Sequence, residues 1–578
     1  MIGGPRHRRR ARPDLPAPPP LLARAPVTAR TVRLRPWQRA ALDAFAAHPG
    51  PDFLAVATPG AGKTTFALTA AVQHLGAHPT RRLVVVVPTQ QLKHQWAHAA
   101  ERFGLHLEPG WTARDGRVPA DVHGLVVTYQ QVAAQPRALR GVGRDAFVVF
   151  DEIHHAGDDR AWGDGVRTAF ELAAARLALS GTPFRSDTTA IPFVRYDDAG
   201  EACPDVEYGY GDALADGGVV RPVYFPRVDG RMEWVAPDGS AHDHTFEDVL
   251  DAARTSQRLR TALSLEGEWL PTVLRRAHEQ LESLRVGQPD AGGLVVAADQ
   301  DHARGIVALL RRHCGVDATL VLSDDPGATA RIEAFARGTD PWIVAVRMVS
   351  EGVDVPRLRV GVYATTTVTE LFFRQATGRL VRWTPGLRRQ PAFFYIPDDP
   401  RLRRFAAGIA AQRRHSLRRR DDGDGDAIAR PGEELAGAAA DEAGGREQLS
   451  LFTALSAVAL GEPVLPEWVD DPAGPDLDPD GPPDPSLVVA LAPPPRPGAG
   501  ALANGDGVPA GTTRREHKGR LRKANAERAS HIARRSGLTH AQVNGELNRL
   551  SGVTRVSEAT VAQLEARLRH ADRWLQRL

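Results

Sequence analysis

The sequence predicts an α/β protein that contains two parallel-sheet units in tandem. Short apolar, β-branched runs alternate with helical patterns over two separate stretches, and turn residues bound each run. Strands that alternate with helices are typical of a parallel sheet covered by helices on both faces. The length of 578 residues is sufficient for two or three domains.

Five candidate strands lie in the first stretch, residues 31–204, and five lie in the second, residues 286–415. Those of the first stretch are Phe53–Ala57, Leu83–Val87, Gly124–Thr128, Phe147–Phe150 and Leu177–Leu179. Those of the second stretch are Leu294–Ala297, Ala318–Leu322, Ile343–Val346, Val360–Tyr363 and Ala392–Ile396. Residues 205–285 depart from this rhythm, and we interpret them as a connector between the two units.

Three further segments differ in composition from the two units. Residues 1–30 are rich in Pro and Arg, which predicts a disordered basic arm. Residues 416–511 are rich in Asp, Gly, Pro and Ala, which predicts a disordered linker. Residues 512–578 regain a helical pattern, with helix-start signals at Thr539 and Ser557, and we expect a small basic helical module there.

Composition argues against several classes of protein. The two cysteines, Cys203 and Cys314, are far apart, so neither a disulfide framework nor a cysteine-based zinc site is expected. No run of 18 apolar residues is present, and we expect no membrane span. The basic N-terminal stretch lacks the apolar core of a secretory signal, so a cytoplasmic location is predicted.

A glycine-containing turn between the first candidate strand and a helical pattern is the strongest local signal. Strand, glycine turn, Lys-Thr and helix form a cradle for nucleotide phosphates, because backbone N–H groups and a helix N-terminus face the oxyanions. Lys63 supplies a positive charge, and Thr64 supplies a hydroxyl for Mg²⁺. The phosphate-binding residues are predicted to be Pro59, Gly60, Ala61, Gly62, Lys63, Thr64 and Thr65.

Two carboxylates follow the buried strand Phe147–Phe150. Asp151 is predicted to hold Mg²⁺, and Glu152 is predicted to orient and deprotonate the attacking water, as phosphoryl transfer requires. The alternative is an acidic strand end in solvent, which the preceding phosphate cradle makes less favourable.

Three more motifs follow in order: Leu179–Arg185 (LSGTPFR), Val349–Pro356 (VSEGVDVP) and Phe373–Arg382 (FRQATGRLVR). With these motifs, the chain resembles the superfamily 2 helicases of the DExH type, and most closely the branch of the type III restriction subunits. The resemblance runs from about Arg33 to about Pro400, and this superfamily commonly has Ala at the position of Ala57. It implies two RecA-like lobes that bind ATP in the cleft between them.

The resemblance also implies roles for individual residues. ATP binding would use Arg35 and Gln38 at the adenine and Gly352 and Asp354 near the ribose. Catalysis would use Gln375, Arg379 and Arg382, whose i, i+4, i+7 spacing predicts one helix face. Coupling of hydrolysis to lobe movement would involve His154, Ser180, Gly181 and Thr182. Contacts with the nucleic-acid backbone would come from Pro88, Thr89, Gln90, Thr128, Tyr129 and Gln130.

We therefore expect an ATP-dependent helicase or translocase that acts on nucleic acid, with DNA favoured by the resemblance. Two alternatives remain open at this point. The chain could be an RNA helicase, or a nucleic-acid-binding adaptor that uses ATP as a conformational switch.

The peptide Gln448-Leu449-Ser450-Leu451-Phe452 interrupts the polar linker. It matches the short peptide by which bacterial proteins bind the replicative sliding clamp, with apolar anchors for a pocket and a polar first residue. A helix docked on the protein's own core is the alternative, because Leu449, Phe452, Leu455 and Val458 also suit a helical face.

The C-terminal module begins with the basic sequence Arg514–Lys523. A basic helix can bind phosphates and add salt-dependent affinity for nucleic acid. It can equally be the solvated face of a small bundle, and the sequence does not decide between the two.

Overall fold

The computed structural model shows two α/β units followed by a helical bundle. It describes residues 30–113, 118–157, 160–181, 190–198, 200–322, 325, 327–346, 355–387, 390–421, 453–464, 487–492, 494 and 514–578. Most of the predicted basic arm and of the predicted linker therefore lies outside the described residues.

The first unit is a seven-stranded parallel sheet with spatial order β4-β5-β3-β6-β7-β2-β8. After β1 (Arg30–Arg33), which lies outside this sheet, its strands are β2 (Asp52–Ala57), β3 (Leu83–Val87), β4 (Leu107–Glu108), β5 (Gly124–Thr128), β6 (Phe147–Phe150), β7 (Ala175–Ser180) and β8 (Val206–Tyr208). Its helices are α1 (Pro36–Ala47), α2 (Lys63–Ala77), α3 (Gln90–Arg102), α4 (Tyr129–Ala134), α5 (Pro136–Gly143), α6 (Arg160–Phe170) and α7 (Tyr210–Ala215), with a 3-10 helix at Ile153–Gly157.

The valine run of β3 illustrates why this sheet forms. Val85 and Val87 pack into the core on one face, whereas Val84 and Val86 pack into the core on the other. All four are fully buried, as expected for a central parallel strand that is covered by helices on both sides.

The second unit is a nine-stranded mixed sheet with the main order β11-β10-β16-β15-β12-β14-β13. Its strands are β9 (Val223–Tyr224), β10 (Arg227–Val235), β11 (Ala241–Thr245), β12 (Gly292–Ala297), β13 (Ala318–Val321), β14 (Trp342–Val346), β15 (Leu358–Ala364), β16 (Ala392–Pro397) and β17 (Thr453–Val464). Its helices are α8 (Ala252–Ala262), α9 (Trp269–Arg285), α10 (Gln300–Cys314), α11 (Ala328–Arg337), α12 (Glu370–Leu380) and α13 (Pro400–Asp421).

A last strand, β18 (Val488–Leu491), pairs with β1, and three helices form the C-terminal bundle. These helices are α14 (Arg514–Ser536), α15 (His540–Ser551) and α16 (Val561–Arg577). The two α/β lobes and the small helical module agree with the predicted fold class.

The interpretation of residues 205–285 as a separate connector is wrong. Strand β8 adds an edge to the first sheet, and strands β9, β10 and β11 extend the second sheet. Helices α8 and α9 pack on that second sheet, where Trp269 and Leu274 are fully buried. Strands β8 and β9 are only three and two residues long, and β10 and β11 mix polar with apolar residues, so none of them forms the continuous apolar run that marks the central strands.

The prediction of a wholly disordered linker over 416–511 is also wrong. Helix α13 continues to Asp421, β17 pairs antiparallel with β10, and β18 pairs antiparallel with β1. Leu455 and Val458 lie on the strand β17, so the alternative of a docked helix through these residues is excluded as well. Backbone pairing with distant strands stabilises these segments, and composition does not reveal such pairing.

Gly293 of β12 lies directly against its cross-strand neighbour Trp342. A Cβ atom at this glycine would be 2.3 Å from the indole ring, which is fully buried. The second core therefore requires glycine at this position.

We expect Gly293→Ala to destabilise the second unit by about 1–3 kcal/mol, because overpacking forces the Trp342 ring to move. Thermal unfolding followed by tryptophan fluorescence measures the effect. Gly408→Ala is the matched control, because Gly408 lies on α13 with no atom within 4 Å of an added Cβ. Helix propensity makes that control neutral or slightly stabilising, and equal melting temperatures for the two variants would refute the overpacking argument.

Candidate functional site

The phosphate loop connects the carboxyl end of β2 to the first turn of α2. Gly60 and Gly62 adopt φ angles of 89° and 90°, which favour glycine. Gly62 is the N-cap of α2 and has no side chain, so the first N–H groups of the helix have no capping side chain at that position. The helix N-terminus can thus receive an anion, as predicted.

Helix α1 supports this loop from behind. Arg35 Nη1 donates a hydrogen bond of 2.7 Å to the carbonyl oxygen of Gly60, and Trp37 Nε1 donates one of 3.0 Å to that of Ala61. Gln38 Nε2 donates to the Gly62 oxygen at 2.9 Å, while its Oε1 accepts from the Arg35 N–H at 2.8 Å. The Gln38 amide therefore stabilises the loop in this conformation, and adenine recognition by both of its ends would require these bonds to break.

Lys63 lies between the loop and the acidic strand end. Its Nζ is 3.2 Å from Glu152 Oε1 and donates a bond of 3.1 Å to the Ala57 oxygen. Glu152 Oε2 accepts the Gly181 N–H at 2.9 Å. The structure thus joins three separately predicted motifs through one carboxylate.

The two carboxylates have different environments. Burial raises the pKa of Asp151, with a further contribution from the charge of Glu152. Burial alone would also raise the pKa of Glu152, but the charge of Lys63 and the hydrogen bond from the Gly181 N–H lower it below its usual range. Glu152 is therefore held as a carboxylate near the loop, whatever the state of its neighbour.

Two aromatic residues fix the position of Asp151. Trp96 Nε1 donates a bond of 2.8 Å to Asp151 Oδ2, and the Tyr129 hydroxyl donates one of 3.0 Å to the Asp151 carbonyl oxygen. Sequence reasoning missed Trp96, which lies in an ordinary amphipathic helical pattern. It also predicted a nucleic-acid contact by Tyr129, which is wrong for the side chain because that ring is fully buried.

His154 connects the first unit to the second. Its Nδ1 is 3.3 Å from Ser180 Oγ, and its Nε2 is 3.2 Å from Nε2 of Gln375. An imidazole protonated on Nδ1 satisfies both contacts, donating to the hydroxyl and accepting from the amide. The predicted contact between His154 and the Ser180 segment is present, and the bond to Gln375 crosses the cleft.

Arg382 reaches the phosphate loop by a route that the helical spacing did not predict. Helix α12 ends at Leu380, so Arg382 lies beyond the helix that contains Gln375 and Arg379. Its backbone forms an antiparallel bridge with Val220, which takes it out of the helical path. A Cβ on Gly60 would be 3.3 Å from Arg382 Nη1, so this guanidinium lies against the loop.

The predicted nucleic-acid motifs cap two helices of the first unit. Thr89 Oγ1 accepts the Leu92 N–H at the start of α3, and Thr128 forms a capping box with Gln131 at the start of α4. Lys93 Nζ donates a bond of 2.8 Å to Gln131 Oε1 and thereby links the two helices. Pro88 is half-buried, and Gln90 and Gln130 are exposed beside these caps.

Some predicted residues cannot be assessed. Thr182, Gly352 and Asp354 lie outside the described residues, as do the peptide residues Gln448, Leu449, Leu451 and Phe452. Their roles remain predictions from the sequence.

The chemistry of the site fits Mg²⁺ and a nucleotide phosphate. The donor set contains the Asp151 carboxylate and the Thr64 hydroxyl, which are hard oxygen ligands that suit magnesium. Two glycines of positive φ and a lysine surround the same space. No group of three metal-binding side chains occurs among the described residues.

The two α/β lobes and the motif residues of the site resemble those of superfamily 2 helicases of the type III restriction branch. The family described as "Type III restriction enzyme, res subunit" matches residues 31–185. The chain belongs to the same family as "Uncharacterized protein Rv2917" of Mycobacterium tuberculosis H37Rv. The two are 47% identical over 445 residues, which cover 75% of this chain and 72% of that protein. "Uncharacterized protein ML1624" of Mycobacterium leprae is 48% identical over 391 residues, covering 66% of this chain and 65% of its own length.

Solved structures show more distant likenesses. A fragment assigned as the HsdR subunit of a type I restriction enzyme from Vibrio vulnificus YJ016 matches with a TM-score of 0.46 and 16% identity, covering 64% of this chain and 65% of its own. Dbp5 of S. cerevisiae, bound to RNA and ADP BeF3, matches with a TM-score of 0.41 and 13% identity, covering 66% and 88%. No conclusion about this protein depends on these two likenesses.

No helix in the part of the chain that the structure describes is long and apolar enough to cross a membrane.

Proposed function

We propose that the protein hydrolyses ATP in the cleft between its two lobes and uses this energy to move along DNA. The cluster around Glu152 carries the proposal. Lys63, His154 and the Gly181 N–H surround this carboxylate, and Gln375 and Arg382 approach it and the loop from the second lobe. A site assembled from both lobes suits a reaction that depends on their relative movement.

The proposed reaction uses the chain's own groups as follows. Lys63 and the N-terminus of α2 bind the phosphates, and Arg382 neutralises negative charge that develops on the transferred group. Glu152 is ionised at neutral pH because its pKa is lowered, so its carboxylate can orient the attacking water and accept its proton. Mg²⁺, held by Asp151 and Thr64, would supply additional positive charge at the phosphates.

The bond between Gln375 and His154 offers a route from hydrolysis to movement. His154 contacts both Ser180 in the first lobe and Gln375 in the second. A change in the charge around Glu152 would alter this contact across the cleft, and the lobes would shift relative to one another. Thr89, Gln90 and Gln130, at the starts of α3 and α4, would contact the nucleic-acid backbone, which carries no sequence information.

DNA is proposed as the track because the chain belongs to a restriction-type branch, but RNA is the second candidate. An adaptor that uses ATP only as a switch is a different class of function. The intact set of Lys63, Asp151, Glu152 and Arg382 favours an enzyme over such an adaptor. We propose a cytoplasmic location, because ATP and chromosomal DNA are both present there.

We expect ATP hydrolysis to be stimulated by DNA and to fall by a factor of about 10²–10⁴ in Glu152→Gln, because the general base is lost. That variant should still bind ATP, whereas Lys63→Ala should bind it weakly. Steady-state rates of ATP hydrolysis, measured without polymer and with single-stranded DNA, duplex DNA or RNA, identify the polymer along which the protein moves.

Exposed Arg260→Gln on α8 is the control for a charge change away from the site. Rates that are equal with and without every polymer would contradict a motor and favour the adaptor.

The peptide Gln448–Phe452 supports a further proposal, that the protein binds a bacterial sliding clamp. Strand β17 begins at Thr453, so the peptide is joined directly to the edge strand of the second lobe. A tethered peptide with two apolar anchors suits a pocket on a partner.

We expect Leu451→Ala combined with Phe452→Ala to abolish capture of a purified bacterial sliding clamp, because both apolar anchors are removed. Leu455→Ala combined with Val458→Ala is the matched control, since these side chains are exposed on the adjacent strand. Retention of the clamp by the first variant, or its absence with the unchanged protein, would eliminate this proposal.

A further inference from the structure

Residues Val220 and Arg221, which we call the bracket, contact the chain at the end of α12. Val220 forms an antiparallel bridge with Arg382, and the Arg221 N–H donates a bond of 2.8 Å to the Val381 oxygen. The Val220 side chain also reaches the phosphate loop, because a Cβ on Gly60 would be 3.7 Å from its Cγ1. The bracket therefore contacts both Arg382 and the phosphate loop that Arg382 approaches.

The side chain of Arg221 donates hydrogen bonds to two backbone oxygens and one hydroxyl. Its Nη1 donates to the Leu358 oxygen at 3.1 Å, and its Nη2 donates to the Pro356 oxygen at 2.8 Å. Nη2 also donates to Thr384 Oγ1 at 2.9 Å. These bonds join the last residue of the VSEGVDVP motif and Leu358 beyond it to Thr384, which follows Arg382.

The guanidinium of Arg221 is fully buried, and within the described chain it forms no ion pair with a carboxylate. Burial, with a smaller contribution from the charge of Arg359, lowers its pKa to about 9. The side chain is still charged at neutral pH, so its bonds to carbonyl oxygens are charge-assisted and costly to lose.

We infer that Arg221 is a positioning residue that sets the location of Arg382 relative to the phosphate loop. This inference rests on the proposed ATP hydrolysis and deepens it. A general structural role would predict only a loss of stability on substitution. A positioning role predicts that turnover falls while ATP binding persists, because Lys63 and the helix N-terminus are unchanged.

Arg357 offers a matched control. It is another buried arginine of the second unit, and its side chain also donates three hydrogen bonds, in this case all to backbone oxygens, those of Phe335, Asp290 and Asp340. It contacts neither α12 nor Arg382 through these bonds. Arg221→Met and Arg357→Met therefore remove comparable interactions from different places.

The experiment compares thermal stability, kcat and KM for ATP in the two variants at saturating nucleic acid. We expect similar losses of stability, a fall in kcat of about tenfold or more only in Arg221→Met, and KM changes within about threefold. Arg221→Lys, which keeps the charge with fewer donors, should give an intermediate kcat and replaces the methionine variant if that variant does not fold.

An unchanged kcat in Arg221→Met, or equal falls in both variants, would overturn the inference while leaving the proposed hydrolysis intact. If the unchanged protein hydrolyses no ATP with any polymer, the proposed function fails and the inference fails with it.

A second inference concerns the C-terminal bundle, which is fixed on the edge of the first lobe. Lys518 Nζ lies 3.1 Å from Asp121 Oδ1, and Asp121 Oδ2 accepts the Val561 N–H at 3.1 Å. Arg522 Nη2 lies 3.1 Å from Glu108 Oε2. Lys518 and Asp121 are both buried, so these two cations of the basic sequence hold the bundle in place and are not available to phosphates.

Other cations of the bundle remain exposed. Residues 514–578 contain 15 Lys and Arg against 6 Asp and Glu, whereas the whole chain has a net charge of only +3. Arg569, Arg573 and Arg577 form an exposed row on α16, at i, i+4 and i+8. Stabilisation of the helix C-terminus accounts for Arg577 in the last turn but not for Arg569 in the middle of the helix.

We propose that this row contacts the phosphate backbone of the nucleic acid and adds a second site to the one on the first lobe. The docking contacts connect the two regions. Glu108, the partner of Arg522, also faces Lys93, which bonds to Gln131 at the predicted nucleic-acid helix. This proposal also depends on the proposed function.

Dissociation constants measured at several salt concentrations test it. For duplex DNA, the slope of log K against log salt is negative, and each lost phosphate contact reduces its magnitude by about 0.9. Arg569→Gln with Arg573→Gln should therefore reduce the magnitude of the slope by about 2. Arg260→Gln with Arg312→Gln removes the same charge from exposed helical positions of the second unit and should leave the slope unchanged.

Equal slopes for the two double variants would overturn this second inference. No binding of any polymer by the unchanged protein at low salt would instead count against the proposed function itself.

Discussion

The ion pair between Lys63 and Glu152 is the contact on which the candidate site depends. It joins the first turn of α2 to the end of β6, two segments that are almost ninety residues apart in the chain. The same carboxylate accepts the Gly181 N–H, so the end of β7 is fixed as well. Because both charges are partly shielded from water, removal of either one would leave the other poorly compensated. Three strand ends are thereby held in one electrostatic arrangement.

Close approach across the cleft depends on small residues. A Cβ atom on Gly378 would lie 2.6 Å from Pro59, so α12 can approach the loop only with glycine at this position. Arg382 approaches Gly60 in the same region, where the loop also lacks a side chain. The two lobes therefore meet where their backbones are least covered, and long cationic side chains can extend from one lobe into the site of the other.

Local sequence patterns predicted the segments whose burial is visible within a short stretch of sequence. The central strands of both sheets were predicted within one or two residues at each end, because continuous burial on both faces leaves an apolar run. Strand β10 was not predicted because its polar residues interrupt the apolar run, and β17 and β18 were not predicted because their partners are distant in the chain. The same reason explains Arg382, whose backbone direction is set by Val220, a residue about 160 positions earlier.

The motif residues of the phosphate loop and the acidic strand end were found because their chemistry is concentrated in short segments. The supporting residues were not found, since Trp96, Val220 and Arg221 carry no signal of their own in the sequence. Burial also removes some side chains from contacts that their chemistry would allow. Tyr129 belongs to a motif that contacts nucleic acid by resemblance, yet its ring is enclosed and stacks on Trp162.

The pairing of β1 with β18 has a consequence for the order of events during synthesis. Arg30 pairs with Leu491, so the first strand leaves the ribosome about 460 residues before its partner. At translation rates of about 5–20 residues per second, that interval is on the order of 20–90 seconds. Strand β10 likewise waits for β17, although its other edge can pair earlier with β11. Each nascent unit therefore presents an unpaired strand edge for much of translation, and the C-terminal third of the chain closes both edges last.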